Sequence, residues 1–249
     1  TITFRTFGTL ELGAFVPTLA NDIVVTGSGD LDSTAATTAL DGNISGSGNL
    51  RLFGDFTIDG ANNGFDGVMS VVGSNLVVGD ANSIGANTAT LVLWQSGLTS
   101  SAPGPLTLAQ DITLEPFTTN FIGGANDIVL NGTVFDAGMN TTLLVGGVGG
   151  GIVTFADANN RADFVNVTGG TANLTGGLDT NGVLIDPGAT LAGTGQIYNG
   201  TTTVQNGGII NPGDATIVDS IGTLNTQTLL LRSGSLLNWD FAAPGTNDQ

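Results

Sequence analysis

The chain has 249 residues, 40% of them hydrophobic, with 40 Gly, no Cys, no His, a formal net charge of −17 and only four cations, Arg5, Arg51, Arg161 and Arg232. Without Lys, His or Cys there is no base for a Ser or Cys nucleophile, no lysine for a phosphate loop and no disulfide framework. So negative a surface repels phosphate backbones and anionic headgroups, and no apolar run approaches the roughly 18 residues of a membrane helix, so neither nucleic-acid binding nor direct membrane insertion is expected.

In chain order, "TITFRTF" (1–7) alternates Ile2 and Phe4 against Thr3 and Arg5, a strand-ready pattern. Alternating runs then recur: "DIVVTG" (22–27), "NLRLFG" (49–54), "NLVVGD" (75–80), "TLVLWQ" (90–95), "DIVLNG" (127–132), "TTTVQN" (201–206) and "TLLLRSG" (228–234). Each is bounded by Gly, Asn or Asp, and each predicts a short strand with one side inward. No helical spacing is sustained, so the fold class is all-β. The Gly-x-Gly pairs at 27/29, 46/48 and 193/195 lack the third Gly of a dinucleotide fingerprint and read as turns.

Two internal matches suggest a solenoid. "NGVLIDPG" (181–188) and "NGGIINPG" (206–213) share five of eight residues at an offset of 25, and "FTIDGANNGFDGV" (56–68) returns as "VTFADANNRADFV" (153–165) at an offset of 97. Periods of this size mark coils that bury their apolar side only by stacking. The expectation is one parallel β-helix over 1–249, with 1–40 of uncertain class and repeat coils over 41–249; a β-sandwich is the alternative. About ten coils at ~4.8 Å would make a rod on the order of 50 Å long, with Ile185 and Ile210 on equivalent sites of neighbouring coils. Asn62, Asn63, Asn159 and Asn160, with Asn181, Asn206, Pro187 and Pro212, are the expected corner residues, since Asn and Gly tolerate left-handed backbone and a corner amide can bond to an adjacent coil.

For chemistry, two carboxylates suffice for glycoside hydrolysis. Asp55, Asp59 and Asp66 near Arg51, and Asp157 and Asp163 flanking Arg161, are candidate clusters, weighed against the blander reading that they cap turns beside Gly and Asn. The capping reading is preferred, so no catalytic residue is assigned. "GGVGGG" (146–151) starts like a calcium repeat but has Gly151 where Asp is required, and "GGAND" (123–127) is one residue short, so no metal ligand or cofactor is assigned and calcium is only a minor alternative. Phe4, Phe53, Phe56, Phe121, Phe155 and Phe241 sit in strand patterns and read as core, while Trp94 is the candidate exposed aromatic.

The stretch "ISGSGNLRLFGDFTIDGANNGFDGVMSVVGSNLVVGDANSIGANTATLVL" (44–93) resembles the autotransporter-associated β-strand repeat, as do "GATLAGTGQIYNGTTTVQNGGIINPGD" (188–214) and "IGTLNTQTLLLRSGSLLNWDF" (221–241). With the 153–176 copy these cover a little over half the chain. The family's aromatic-Gly-Gly-Thr step reads here as Phe65-Asp66-Gly67-Val68, and residues 1–40 carry no such phrase. The resemblance implies a right-handed parallel β-helix in a secreted or surface-displayed bacterial protein, with an outer-membrane translocator as partner, and does not imply an enzyme. The expected function is thus a non-enzymatic extracellular or cell-surface scaffold. Its alternatives are a glycan-binding adhesin and, less favoured, a carboxylate-based polysaccharide-cleaving enzyme or phage tailspike. Ile2, Phe4, Leu236, Trp239 and Phe241 are the residues through which head-to-tail self-assembly into fibres would run.

Overall fold

The computed structural model describes residues 1–238 apart from Phe15, Asn63, Val148 and Asp219. The described residues contain strands, bridges and turns but no helix, and hence no helix long and apolar enough to cross a membrane. The strands wind as a right-handed parallel β-helix of about ten turns, a length of about 50 Å at ~4.8 Å per coil. Among the described residues every strand ladder is parallel, and the one antiparallel contact is the isolated bridge Gly193↔Gly213. A sandwich would need antiparallel hairpins.

Each coil visits three faces. Face one begins with Ile2–Phe4, Ile23–Val25, Ile44–Gly46 and Gly64–Phe65, and resumes at Leu106–Leu108 for seven strands. Face two stacks ten strands, from Gly8–Leu12 to Gln196–Tyr198, and face three eleven, from Thr18–Leu19 to Thr228–Leu231. All seven alternating runs read from the sequence lie on strands, among them Asn49–Phe53 and Thr90–Trp94; six bury one side as expected, whereas Thr228–Leu231, the last strand of face three, is exposed along its whole length.

Alternation becomes burial because the ladders are in register. On face two, Leu31, Leu52, Val71, Leu93 and Leu114 are successive partners, each fully buried. On face three, Ile122, Val145, Val167, Ile185 and Val204 do the same. Each such side chain contributes about 1.5–3 kcal/mol by leaving water, and its neighbours above and below share one column of the core. At the N-terminal end, Gly8 and Gly29 precede Leu50 in an inward column, and the ring of Phe4 fills the room they leave. A Cβ on Gly29 would lie 2.3 Å from that ring.

The 25-residue phrase does not mark equivalent sites. Ile185 pairs with Val167 and Val204 on face three, whereas Ile210 pairs with Leu191 and Leu237 on face one. Both point inward, but on different faces: the phrase repeats after one coil plus one face. Pro187 accordingly sits in an exposed turn, while Pro212 ends the strand Ile209–Pro212 and is buried. The second match is displaced likewise, with Thr57 on face three and Thr154 on face one. True coil lengths vary, as side-chain bonds joining adjacent coils show: 18 positions from Asn62 to Ile44 and 26 from Asn160 to Val134.

Face one is interrupted at residues 79–89, where turns replace a strand. Ile84 still fills the core, and the Gln110 amide of the next coil donates to Ala81 O (3.1 Å) and Gly85 O (2.8 Å), tying the irregular backbone down. At the end of face three, Gly123 and Gly146 are ladder partners. Gly146 has φ +104°, and a Cβ there would lie 1.6 Å from Gly169 O of the following coil. Both left-handed strain and a backbone clash oppose any larger residue. Gly146→Ala is therefore expected to destabilise the chain by at least ~2 kcal/mol, read as a lower urea midpoint; an unchanged midpoint would show that the corner relaxes freely.

Candidate functional site: corners and the outer strip of face two

Asparagine fastens one coil to the next at all three corners. Asn62, just before face one, accepts Ile44 N–H at 2.7 Å through Oδ1 and donates to Ser83 O at 2.8 Å through Nδ2. Asn160, opening the face-two strand Asn160–Arg161, accepts Val134 N–H (3.0 Å) and donates to Gly177 O (3.1 Å) and Asp157 O (2.6 Å). Asn120, entering face three, accepts Ser96 N–H (3.0 Å) and donates to the Thr118 hydroxyl (2.8 Å). All three amides are buried. Asn120 was not among the expected corner residues, because no neighbouring Asn-Asn or Asn-Gly marks it. Asn159 is exposed and, among the described residues, its side chain bonds Asp157 alone; Asn181 reaches Asp163 at 3.1 Å from an exposed turn, and Asn206 also lies in an exposed turn. Asn63 lies outside the described residues.

The carboxylates serve the same fastening. Asp22, Asp111 and Asp127 accept backbone N–H groups of Asn43, Thr133 and Ile152 in the next coil, at 3.1, 2.8 and 2.8 Å. In the first candidate cluster, Asp55 accepts Asn75 N–H and amide, Asp59 accepts the Ser101 hydroxyl, and Asp66 is exposed and makes no side-chain hydrogen bond among the described residues. Arg51 turns away from them to Asp30, which it holds in a bidentate pair at 2.8 Å, its guanidinium 5.3 and 5.5 Å from the Phe7 and Phe53 ring centres. In the second cluster, Asp157 caps Asn159 N–H, and Asp163 accepts Asn140 N–H and the Asn181 amide. Asp136 was missed altogether: it follows Leu114 in an aliphatic column, is buried, and accepts Gly138 N–H at 2.7 Å and Asp163 N–H at 3.2 Å. Among the described residues no three acidic side chains group as a metal site would require.

Residues 213–218 fold back over the outside of face one. Asp214 there accepts the Asn173 amide (2.9 Å), Thr216 N–H (2.9 Å) and the Thr216 hydroxyl (2.7 Å), while Ala215 N–H donates to Asn173 Oδ1. Burial pushes the Asp214 carboxyl up, but the bonds from Thr216 and Asn173 together outweigh it and hold the group below its ordinary value of 3.8.

The outer side of face two carries three of the exposed aromatics, Trp94, Phe135 and Tyr198; Phe164 stands on face three, and Phe7 and Phe117 lie between strands. One outward column runs Thr113, Phe135, Arg161, Asp179, Tyr198 over successive coils. Phe135 and Tyr198 are 44% and 39% exposed, and with Asn159, Arg161, Asp179 and Asn199 they line a groove of about 350 Å³. Trp94, at 52% exposure, crowns another column above Phe53 and Val72. Of the aromatics expected in the core, Phe4, Phe56 and Phe155 are buried, whereas Phe53 and Phe121 are outward and half-buried. Of the expected assembly residues, Phe4 is spent in the chain's own core, Ile2 is half-buried and Leu236 is exposed. Phe241 and Trp239 lie outside the described residues. No family model, curated protein or solved structure matches the chain.

Two outcomes follow from these contacts. Asn62→Val and Asn160→Val each leave buried backbone partners unsatisfied and should cost about 1–3 kcal/mol, whereas Asn159→Val should leave the melting temperature within a degree or so; equal effects at all three would refute the fastening role. Because the folded pKa of Asp214 is depressed, its contribution is present above pH 3.8 and is lost as pH falls through the lower folded value. Hydrogen-exchange protection of the Ala215 and Thr216 amides should drop across that window, and Asp214→Asn should flatten the dependence.

Proposed function

We propose that the chain is a non-enzymatic structural β-helix that works outside the cell or on a bacterial surface as a rigid scaffold. The observation that carries this reading is the use to which the acidic and amide side chains are put. Asp22, Asp55, Asp111, Asp127 and Asp163 all accept hydrogen bonds from an adjacent coil, the role of stitching rather than of acid and base. A catalytic pair needs one carboxyl held protonated and another held ionised over a common ligand, whereas these five carboxylates each hold a neighbouring coil.

The composition supports an extracellular setting: net charge −17 keeps such rods apart in solution, and the resemblance to autotransporter passenger repeats points the same way. The purified chain, incubated with neutral and acidic polysaccharides, is expected to release neither reducing ends nor unsaturated uronates. Antibodies raised against it should label intact cells of the organism of origin. Sustained product release that disappears on Asp163→Asn would replace the scaffold reading with an enzymatic one, and labelling only after cell lysis would remove the surface assignment.

A further inference from the structure

The two described arginines on face two are used in opposite ways. Arg51 is closed: Asp30 takes two of its donors, and Phe7 and Phe53 lie against its guanidinium. Arg161 sits in the same outward column, is itself exposed, and makes no ion pair or ring contact among the described residues. Phe135 is its ladder partner on one side and Asp179 on the other, with Tyr198 one coil further. The Asp179 carboxylate is oriented by the Asn199 amide at 2.7 Å. Asn199 itself is held at φ +63°. Tyr198 is seated by a missing side chain, since a Cβ on Gly177 would lie 2.8 Å from its ring.

We propose that this groove binds a neutral oligosaccharide lying along the helix axis, its sugar rings against Phe135 and Tyr198 and its hydroxyls bonded by Arg161, Asp179 and Asn199. Three ladder steps separate the two aromatics, about 14 Å at ~4.8 Å per step, so the groove accommodates a short run of linked rings rather than a single one. The chemistry selects the ligand. The faces of aromatic rings carry negative quadrupole density and attract the polarised C–H faces of a pyranose. Between them stand a five-donor fork and a carboxylate, the complements of vicinal hydroxyls acting as both acceptors and donors. A wholly apolar ligand would bury Arg161 and Asp179 without partners, which costs binding free energy. A polyanion would meet a chain of net charge −17 with Arg161 already offset by Asp179 one coil away. Open grooves with a few convergent polar groups between apolar walls are where ligands of this kind are held.

The test uses the whole chain, with calorimetric titration against cello-, xylo-, laminari- and manno-oligosaccharides, and with polygalacturonate as the acidic comparison. At least one neutral series should bind saturably, with affinity rising with oligomer length. Tyr198→Ala and Arg161→Ala should each weaken that binding at least tenfold while leaving the circular dichroism spectrum and melting temperature unchanged. Tyr198→Phe should retain most of it, because the ring face remains, and Trp94→Ala, in another column, should bind as the parent does. Lack of binding to every neutral series, preference for polygalacturonate, or binding indifferent to both Tyr198→Ala and Arg161→Ala would overturn the assignment.

Discussion

The described strands answer to one constraint: the backbone N–H and C=O groups of each coil must pair with the coils on either side, about 4.8 Å away. That pairing is parallel and residue-for-residue, so a side chain's neighbours are those of the same column one coil earlier and later. Leu31, Leu52, Val71, Leu93 and Leu114 stack because the register leaves them nowhere else to go. The corners must then turn without losing the pitch. Gly146 does so with a backbone that approaches its neighbour too closely for any Cβ. Asn62, Asn120 and Asn160 do so by replacing, with a side-chain amide, the pairing that a turning backbone gives up.

The same constraint explains what could be read in the residues alone. Strands such as Asn49–Phe53 and Thr90–Trp94 are plain from alternation, since one inward side per strand is all that alternation encodes. Their phase around the axis is not. All three faces are built as strand, corner, strand from the same few residue types, so "NGVLIDPG" and "NGGIINPG" look like consecutive coils although Ile185 belongs to face three and Ile210 to face one. Asn62 and Asn160 stood out because a repeated Asn-Asn is conspicuous, and Asn120, alone among threonines, did not. Asp55, Asp59 and Asp66 read as a cluster near Arg51 in sequence, but the partner of Arg51 is Asp30, 21 positions back and one coil away. Asp136 was hidden for a related reason, as nothing local distinguishes a carboxylate that continues an aliphatic column from one that caps an exposed turn. The groove between Phe135 and Tyr198 needs four coils in register before it exists at all.

The acidity of the chain takes on a different meaning in this light. Asp22, Asp111 and Asp127 each place a carboxylate against the N–H of a neighbouring coil, a charge-assisted bond stronger than its neutral counterpart. Composition alone presents these residues as a solvated coat or as candidate chemistry. In place they form part of the fastening of one coil to the next.

Coil length is not conserved along the rod: neighbouring coils are bridged over 18 positions at Asn62 and 26 at Asn160, yet the columns on faces two and three continue. Extra residues are therefore absorbed where the chain turns, outside the paired ladders. Closing a loop of twice the length costs only about 0.6 kcal/mol more, so a corner can be drawn out into a projecting loop with little penalty to the stack beneath it. The architecture thus separates two kinds of inheritance: columns that must change in concert, and bends that can diversify one at a time, which gives such a rod a cheap route to new surface features while its core stays as it is.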